Sequence, residues 1–203
     1  MNYTREQIED AVKSKGYKWF ESGNYNLNIV GIRNSSTGDA ITNKFDDLIT
    51  VSYMLEGMWY FHQYTATTDP GRHWAENLLN ESGVAILVPG QYRGSHHIDL
   101  HQGRYEALRQ KKSLKVYRDN NLDELYDTLD ESIQDGLFGI NIHRASATGT
   151  STQVDKWSAG CQVIASNEDF NEFMEIAKKA SSAWGNSFTY TLIESKDIKE
   201  ILT

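Results

Sequence analysis

The stretch LITVSYMLEGMWYFHQYTAT, residues 48–67, is two runs of β-branched and aromatic residues separated by Glu56-Gly57. Such side chains fit a pleated, half-buried surface better than a helix, and an X-Gly pair supplies the backbone angles of a tight hairpin. The stretch therefore reads as a β-hairpin, and its neighbours extend it into a sheet. Upstream, NLNIVGIR at 26–33 spaces its apolar residues Leu27, Ile29 and Ile32. Downstream come a turn at TTDPG (67–71), then GVAILVPG, the histidine-rich QYRGSHHIDLH, RYEALRQ and LKVYR as short strands. GLFGINIH, 136–143, reads as a buried strand, and FTYTLIES as the last one.

Helical patterns lie at the margins. TREQIEDAVKSK, 4–15, has Thr4 as N-cap with Gln7 three residues on, the spacing of a capping box, and Gly16 as a stop. Ile8, Ala11 and Val12 form a stripe too narrow to stand alone, so this helix must lean on the main domain. RHWAENLLN, 72–80, is a helical turn or two. LDELYDTLDESI, 122–133, is either a helix or an acidic loop. Residues 167–182 form the clearest helix, with Asn167 as cap and Phe170, Phe173, Met174, Ala177 and Ala180 facing inward. Many short strands with few helices define an α+β, mainly-β class. The expected organisation is a helix and lead-in at 1–25 and one catalytic domain at 26–203.

Composition removes several function classes. The chain has 203 residues, 28 acidic against 20 basic, for a net charge of −8. A broad nucleic-acid footprint needs clustered Lys and Arg, so nucleic acid is not an expected partner. Arg104 to Lys115 and the Lys178-Lys179 pair read as solvated faces. One cysteine excludes an intramolecular disulfide and any zinc site built on several cysteines. The opening MNYTREQIEDAVKSKGYKWF has no apolar core segment, which predicts no signal peptide, and no apolar run reaches membrane-spanning length. The expectation is synthesis in the cytoplasm, with delivery by another system if the protein acts at the cell wall. No cofactor is expected, and oligomeric state is not legible.

Chemistry concentrates at 140–164, INIHRASATGTSTQVDKWSAGCQVI. A strand ends at His143, a loop of small polar residues follows, and it runs into Ser158-Ala159-Gly160-Cys161. A thiol attacks only as thiolate, and an imidazole beside it is the common means of obtaining one. Gly160 permits close backbone approach and leaves amides to face an oxyanion. The bland alternative is a buried, inert thiol.

This segment resembles the catalytic signature of the L,D-transpeptidase (YkuD-type) domain, a histidine followed, after a loop of this length, by Ser/Thr-His-Gly-Cys. Here 14 residues separate His143 from Ser158. The resemblance covers roughly residues 45–165, with Thr67 to Gly71 and Pro89-Gly90-Gln91-Tyr92 as looser matches to the family's substrate-side turns. It implies a mainly-β L,D-transpeptidase-like sheet domain and cysteine-dependent acyl transfer or peptide hydrolysis on peptidoglycan stem peptides. Cys161 would be acylated, and His143, oriented by the Arg144 carbonyl, would move the proton. The amides of Gly160 and Cys161 would hold the oxyanion, and Ser158 would shape the loop and hydrogen-bond the histidine. Three positions depart from the pattern: Ala159 replaces the motif histidine, Arg144 a glycine, and Val163 a polar residue. Arg144 and Gln162 are therefore expected to contact substrate, with Trp157 stacking on a sugar or packing the loop. A divergent, phage-encoded or secretion-system relative fits these departures.

Two other classes compete. His97, Asp99 and His101 share one strand face by alternation, a three-ligand pattern that suits zinc in a metal-dependent cell-wall hydrolase. Alternatively, the chain is an inactive relative that binds peptidoglycan or a partner through the same groove.

Overall fold

The structure, a computed structural model, describes residues 1–123 and 125–199. Glu124, inside the segment expected as helix or acidic loop, and residues 200–203, the end of the expected domain, lie outside the described residues. The hairpin forms as read. Strands β2 (Asp47–Leu55) and β3 (Met58–Thr67) pair in antiparallel register from Asp47↔Ala66 to Leu55↔Met58. Glu56 and Gly57 have φ of 52° and 81°, the positive pair that a two-residue turn requires.

Among the described residues, eight strands close a barrel around this hairpin. The strand before it is β1 (Asn28–Arg33), and the later ones are β5 (Gly90–His101), β6 (Tyr105–Gln110), β9 (Ile142–Arg144), β10 (Gln162–Ile164) and β11 (Phe188–Glu194). Their order is β1-β11-β5-β6-β9-β10-β3-β2, with β1–β11 and β9–β10 parallel and the other pairs antiparallel. A second sheet, β4-β7-β8, joins β4 (Val84–Leu87), β7 (Leu114–Asp119) and β8 (Gln134–Gly136). The fold is mainly β with a few helices.

Helix α1 (Arg5–Ser14) carries the full capping box: Gln7 N donates to Thr4 Oγ1, and Thr4 N donates to the Gln7 side chain. It packs Ile8, Ala11 and Val12 with Trp19 against Val30, Ile32, Leu48 and Ile193. That contact explains why β1 is buried on both faces rather than alternating. Ile29 joins the main core, while Val30 and Ile32 face the helix. A short helix, α2, spans Arg72–Glu76. Helix α3 (Asn167–Trp184) buries Phe170, Phe173, Met174, Ile176, Ala177 and Ala180, but its N-cap is Ser166, whose hydroxyl accepts from Asp169 N.

Polar side chains that take the backbone's hydrogen bonds decide two segments: at 122–133 the loop alternative holds and the helix does not, and the single strand expected at 136–143 does not form. The segment 122–133 forms only a single 3₁₀ turn at Asp130–Ser132 among its described residues. Asn121 and Asp123 accept from backbone amides two residues on, and Leu122, Leu125 and Leu129 stand exposed. Segment 136–143 is not one strand. Between β8 and β9 the Gln110 amide replaces a neighbouring strand, accepting from Phe138 N and Ile140 N (both 3.0 Å) and donating to Gly136 O (2.8 Å).

Candidate active site

Strands β9 and β10 place the expected pair side by side. Their parallel register sets Ile142 opposite Gln162 and His143 opposite Val163, so Cys161, just before β10, follows the line of Asn141. Successive side chains alternate, which puts Ile142, Gln162 and Ile164 on the inner face. Cys161 and His143 share the other face as diagonal neighbours.

His143 is buried, at 4% exposure. Its Nδ1 lies 2.7 Å from the Arg144 carbonyl, which can only accept, so Nδ1 carries the proton and Nε2 holds the lone pair of a neutral ring. Burial, reinforced by the neighbouring His101, pushes His143 down to about 3 despite that hydrogen bond. Cys161 is half-buried, and burial pushes its thiol up to about 11, offset in part by the Asn141 amide. Its Sγ donates to Gly139 O (3.3 Å) and accepts from Asn141 N (3.5 Å). No hydrogen bond among the described residues joins Sγ to His143. The resting pair is thus a neutral thiol beside a neutral imidazole.

The loop before the cysteine is held from behind. Ser158 is fully buried; its hydroxyl donates to Cys161 O (2.7 Å) and accepts from Gly160 N (3.1 Å). It shapes the loop, and its hydroxyl is spent on these bonds rather than on the histidine. Because Gly160 N is engaged with Ser158, of the two amides expected to face an oxyanion the one left is that of Cys161. Gly160 itself has φ 129°, and a Cβ there would overlap the Ala85 carbonyl. The turn at 67–71 braces this loop: Gly71 N donates to Ser158 O (2.8 Å).

Gln162 turns away from the face that carries Cys161 and His143. It is fully buried, its oxygen accepting from Tyr190 OH (2.7 Å) and its nitrogen donating to Thr68 O and Gly160 O (both 3.2 Å). The expectation that it contacts substrate is corrected; it ties the loop to the barrel interior. Trp157 is 43% exposed. Arg144 is half-buried, lies 4.2 Å over the Tyr105 ring, and donates to Asn167 Oδ1 (3.0 Å). No carboxylate pairs with it among the described residues. Asp155 accepts from Asn43 Nδ2 (2.6 Å) instead.

The three strand residues read as a metal set do not gather. His97 Nε2 stands 3.4 Å from Asp99 Oδ2, and Asp99 is held by Arg109 at 2.6 Å. His101 turns to stack on His143, centroids 4.2 Å apart, so the three donors do not converge on one point. Among the described residues no three His, Cys, Asp or Glu side chains are placed to hold a metal ion.

Three residues of the site were not singled out by sequence as partners of the thiol. Tyr105 OH is 3.5 Å from both His143 Nδ1 and Arg144 O. Asn141 contacts the thiol through its amide and His101 through its side chain. Asn141 stands two residues before His143 in a strand-forming run, the only hint its sequence offers, and Tyr105 and His101 arrive from β6 and β5. Comparison with known proteins yields no matching family model, no matching curated protein and no matching solved structure. No helix among the described residues is long and apolar enough to cross a membrane.

Proposed function

We propose that the chain is a cysteine-dependent acyl-transfer enzyme or peptidase acting on peptidoglycan stem peptides, in the manner of an L,D-transpeptidase. One observation carries the chemistry. The sole cysteine and a histidine whose Nε2 lone pair is fixed by the Arg144 carbonyl share one face of adjacent parallel strands. The resemblance of the His143 to Cys161 segment to that family supplies the substrate class.

In this reading, Sγ attacks the donor carbonyl as its proton passes to His143 Nε2, because the pair rests neutral rather than as an ion pair. The new S–C bond leaves an oxyanion, for which the Cys161 amide is the available donor. The C–N bond then breaks, and the leaving amine takes the proton from His143. An amine or water releases the acyl group, giving transfer or hydrolysis. Arg144, without a carboxylate partner among the described residues, is the cation for a free carboxylate on the stem peptide, since its planar fork suits two oxygens. Trp157 is exposed at the loop before Cys161 and supplies a face for a sugar ring.

A second reading is favoured by the absence of a hydrogen bond between thiol and histidine: an inactive relative that binds the same peptides. Incubation of purified protein with muropeptides, followed by mass spectrometry, separates the two. The first reading expects new masses with wild type and none with Cys161→Ala. Unchanged muropeptides that remain bound to both proteins would favour the second.

A further inference from the structure

We propose that His101 is a positioning residue of the Cys161–His143 pair, its ring capping the His143 imidazole so that His143 is kept a neutral proton acceptor. This rests on the reading of that pair as nucleophile and base, and it concerns how the base is held.

The two rings stack at 4.2 Å with 22° between their planes, and both residues are buried, at 7% and 4% exposure. Their protons can be placed from their partners. Asn141 Oδ1 accepts from Gln110 N (2.9 Å), which orients the amide so that Nδ2 faces His101 Nδ1 at 3.2 Å. Nδ2 can only donate, so His101 Nδ1 is a lone pair and its proton sits on Nε2. His143 is the opposite tautomer, with its proton on Nδ1. Asn141 thus links the thiol, through its backbone amide, to the ring that covers the base.

The surroundings oppose a second positive charge. His101 faces Arg109 and Arg104, and both act with burial to hold it below the ordinary histidine range. His143 faces His101 from β5, Tyr105 from β6, Arg144 on its own strand and Cys161 from the residue just before β10. From α3, Asn167 and Phe170 meet Arg144 and Tyr105 and carry no charge. Among the described residues no carboxylate pairs with either imidazole, in contrast to His62, which meets Glu172, and His97, which meets Asp99. A ring lying flat on His143 excludes the water that would otherwise solvate an imidazolium.

The test needs no substrate. Histidine Cε1–H resonances are followed by NMR against pH in the full chain, with the His143 signal assigned from His143→Gln. His101→Ala removes the cap, and His101→Phe keeps a flat ring in its place. The expected result is that the His143 midpoint rises by about one unit or more in His101→Ala, and that alkylation of Cys161 by iodoacetamide at pH 6 speeds up about tenfold as the ion pair becomes accessible. In His101→Phe the midpoint stays within about half a unit of wild type. Should His101→Ala not fold, His101→Gln, which fills the space without a ring face, carries the same expectation. An unmoved midpoint on losing the ring, or an equal rise in His101→Phe, would overturn the proposal. Inertness toward muropeptides would instead overturn the functional reading and leave this result untouched.

Discussion

Gly160 illustrates how tightly single residues constrain the cysteine loop. Its φ of 129° and the Ala85 carbonyl behind it leave no room for a side chain, while Ser158 holds its amide. Gly160→Ala is therefore expected to lower the unfolding free energy by about 2 kcal/mol or more, read by chemical denaturation. A stability equal to wild type would mean the loop relaxes freely. Arg144 makes a different prediction, because among the described residues it meets Tyr105 and Asn167 and pairs with no carboxylate. Arg144→Lys keeps the charge but loses the fork. Its kcat/KM should fall about tenfold or more on carboxylate-bearing stem peptides and much less on their amidated analogues. Equal losses on both would return Arg144 to a purely structural role.

At the scale of elements, β9 and β10 are three residues each, and side chains from outside the ladder support the chain around them. Gln110 is the most consequential, since its amide ties Phe138, Ile140 and Gly136, and the neighbouring Gly139 O and Asn141 N hold the thiol. Gln110→Ala should speed hydrogen exchange at the amides of Phe138 and Ile140 and alter the alkylation rate of Cys161. Unchanged exchange at both amides would contradict the bracing role. The same residue explains a limit of sequence reading. The hairpin at 48–67, the cap on α1 and the apolar stripe of α3 were legible because local spacing decides them. The break at 137–141 was not, because its cause lies almost 30 positions away in sequence, in a side chain that imitates a strand. For the candidate site, His143 and Cys161 could be proposed from thiol–imidazole chemistry and a motif resemblance, whereas the contacts of His101 and Tyr105 with them could not. They reach the pair only through barrel closure. His101 also carried a misleading pattern, since alternation with His97 and Asp99 suggested one shared face.

For the whole molecule, buried titratable groups pull stability in opposite directions with pH. His143 and His96 are held down to about 3 and about 4 by burial, so they contribute stability above the unfolded histidine value that is lost as pH falls. Asp47, buried and pushed up to about 7, does the reverse: its contribution is present in acid and is lost as pH rises through that value. Between pH 7 and 5 these terms oppose one another. Asp47→Asn removes the acid-favouring term, so stability in that variant should fall more steeply than wild type on acidification from pH 7 to 5. Parallel pH profiles would show that Asp47 does not titrate in this window. The central claim, that Cys161 forms a covalent acyl intermediate with His143 as its base, is tested most directly by intact-protein mass spectrometry after incubation with stem peptides. The account predicts an acyl adduct that maps to Cys161, is absent in Cys161→Ala, and forms far more slowly in His143→Ala. An unmodified protein, or a rate of adduct formation unaffected by loss of His143, would contradict it.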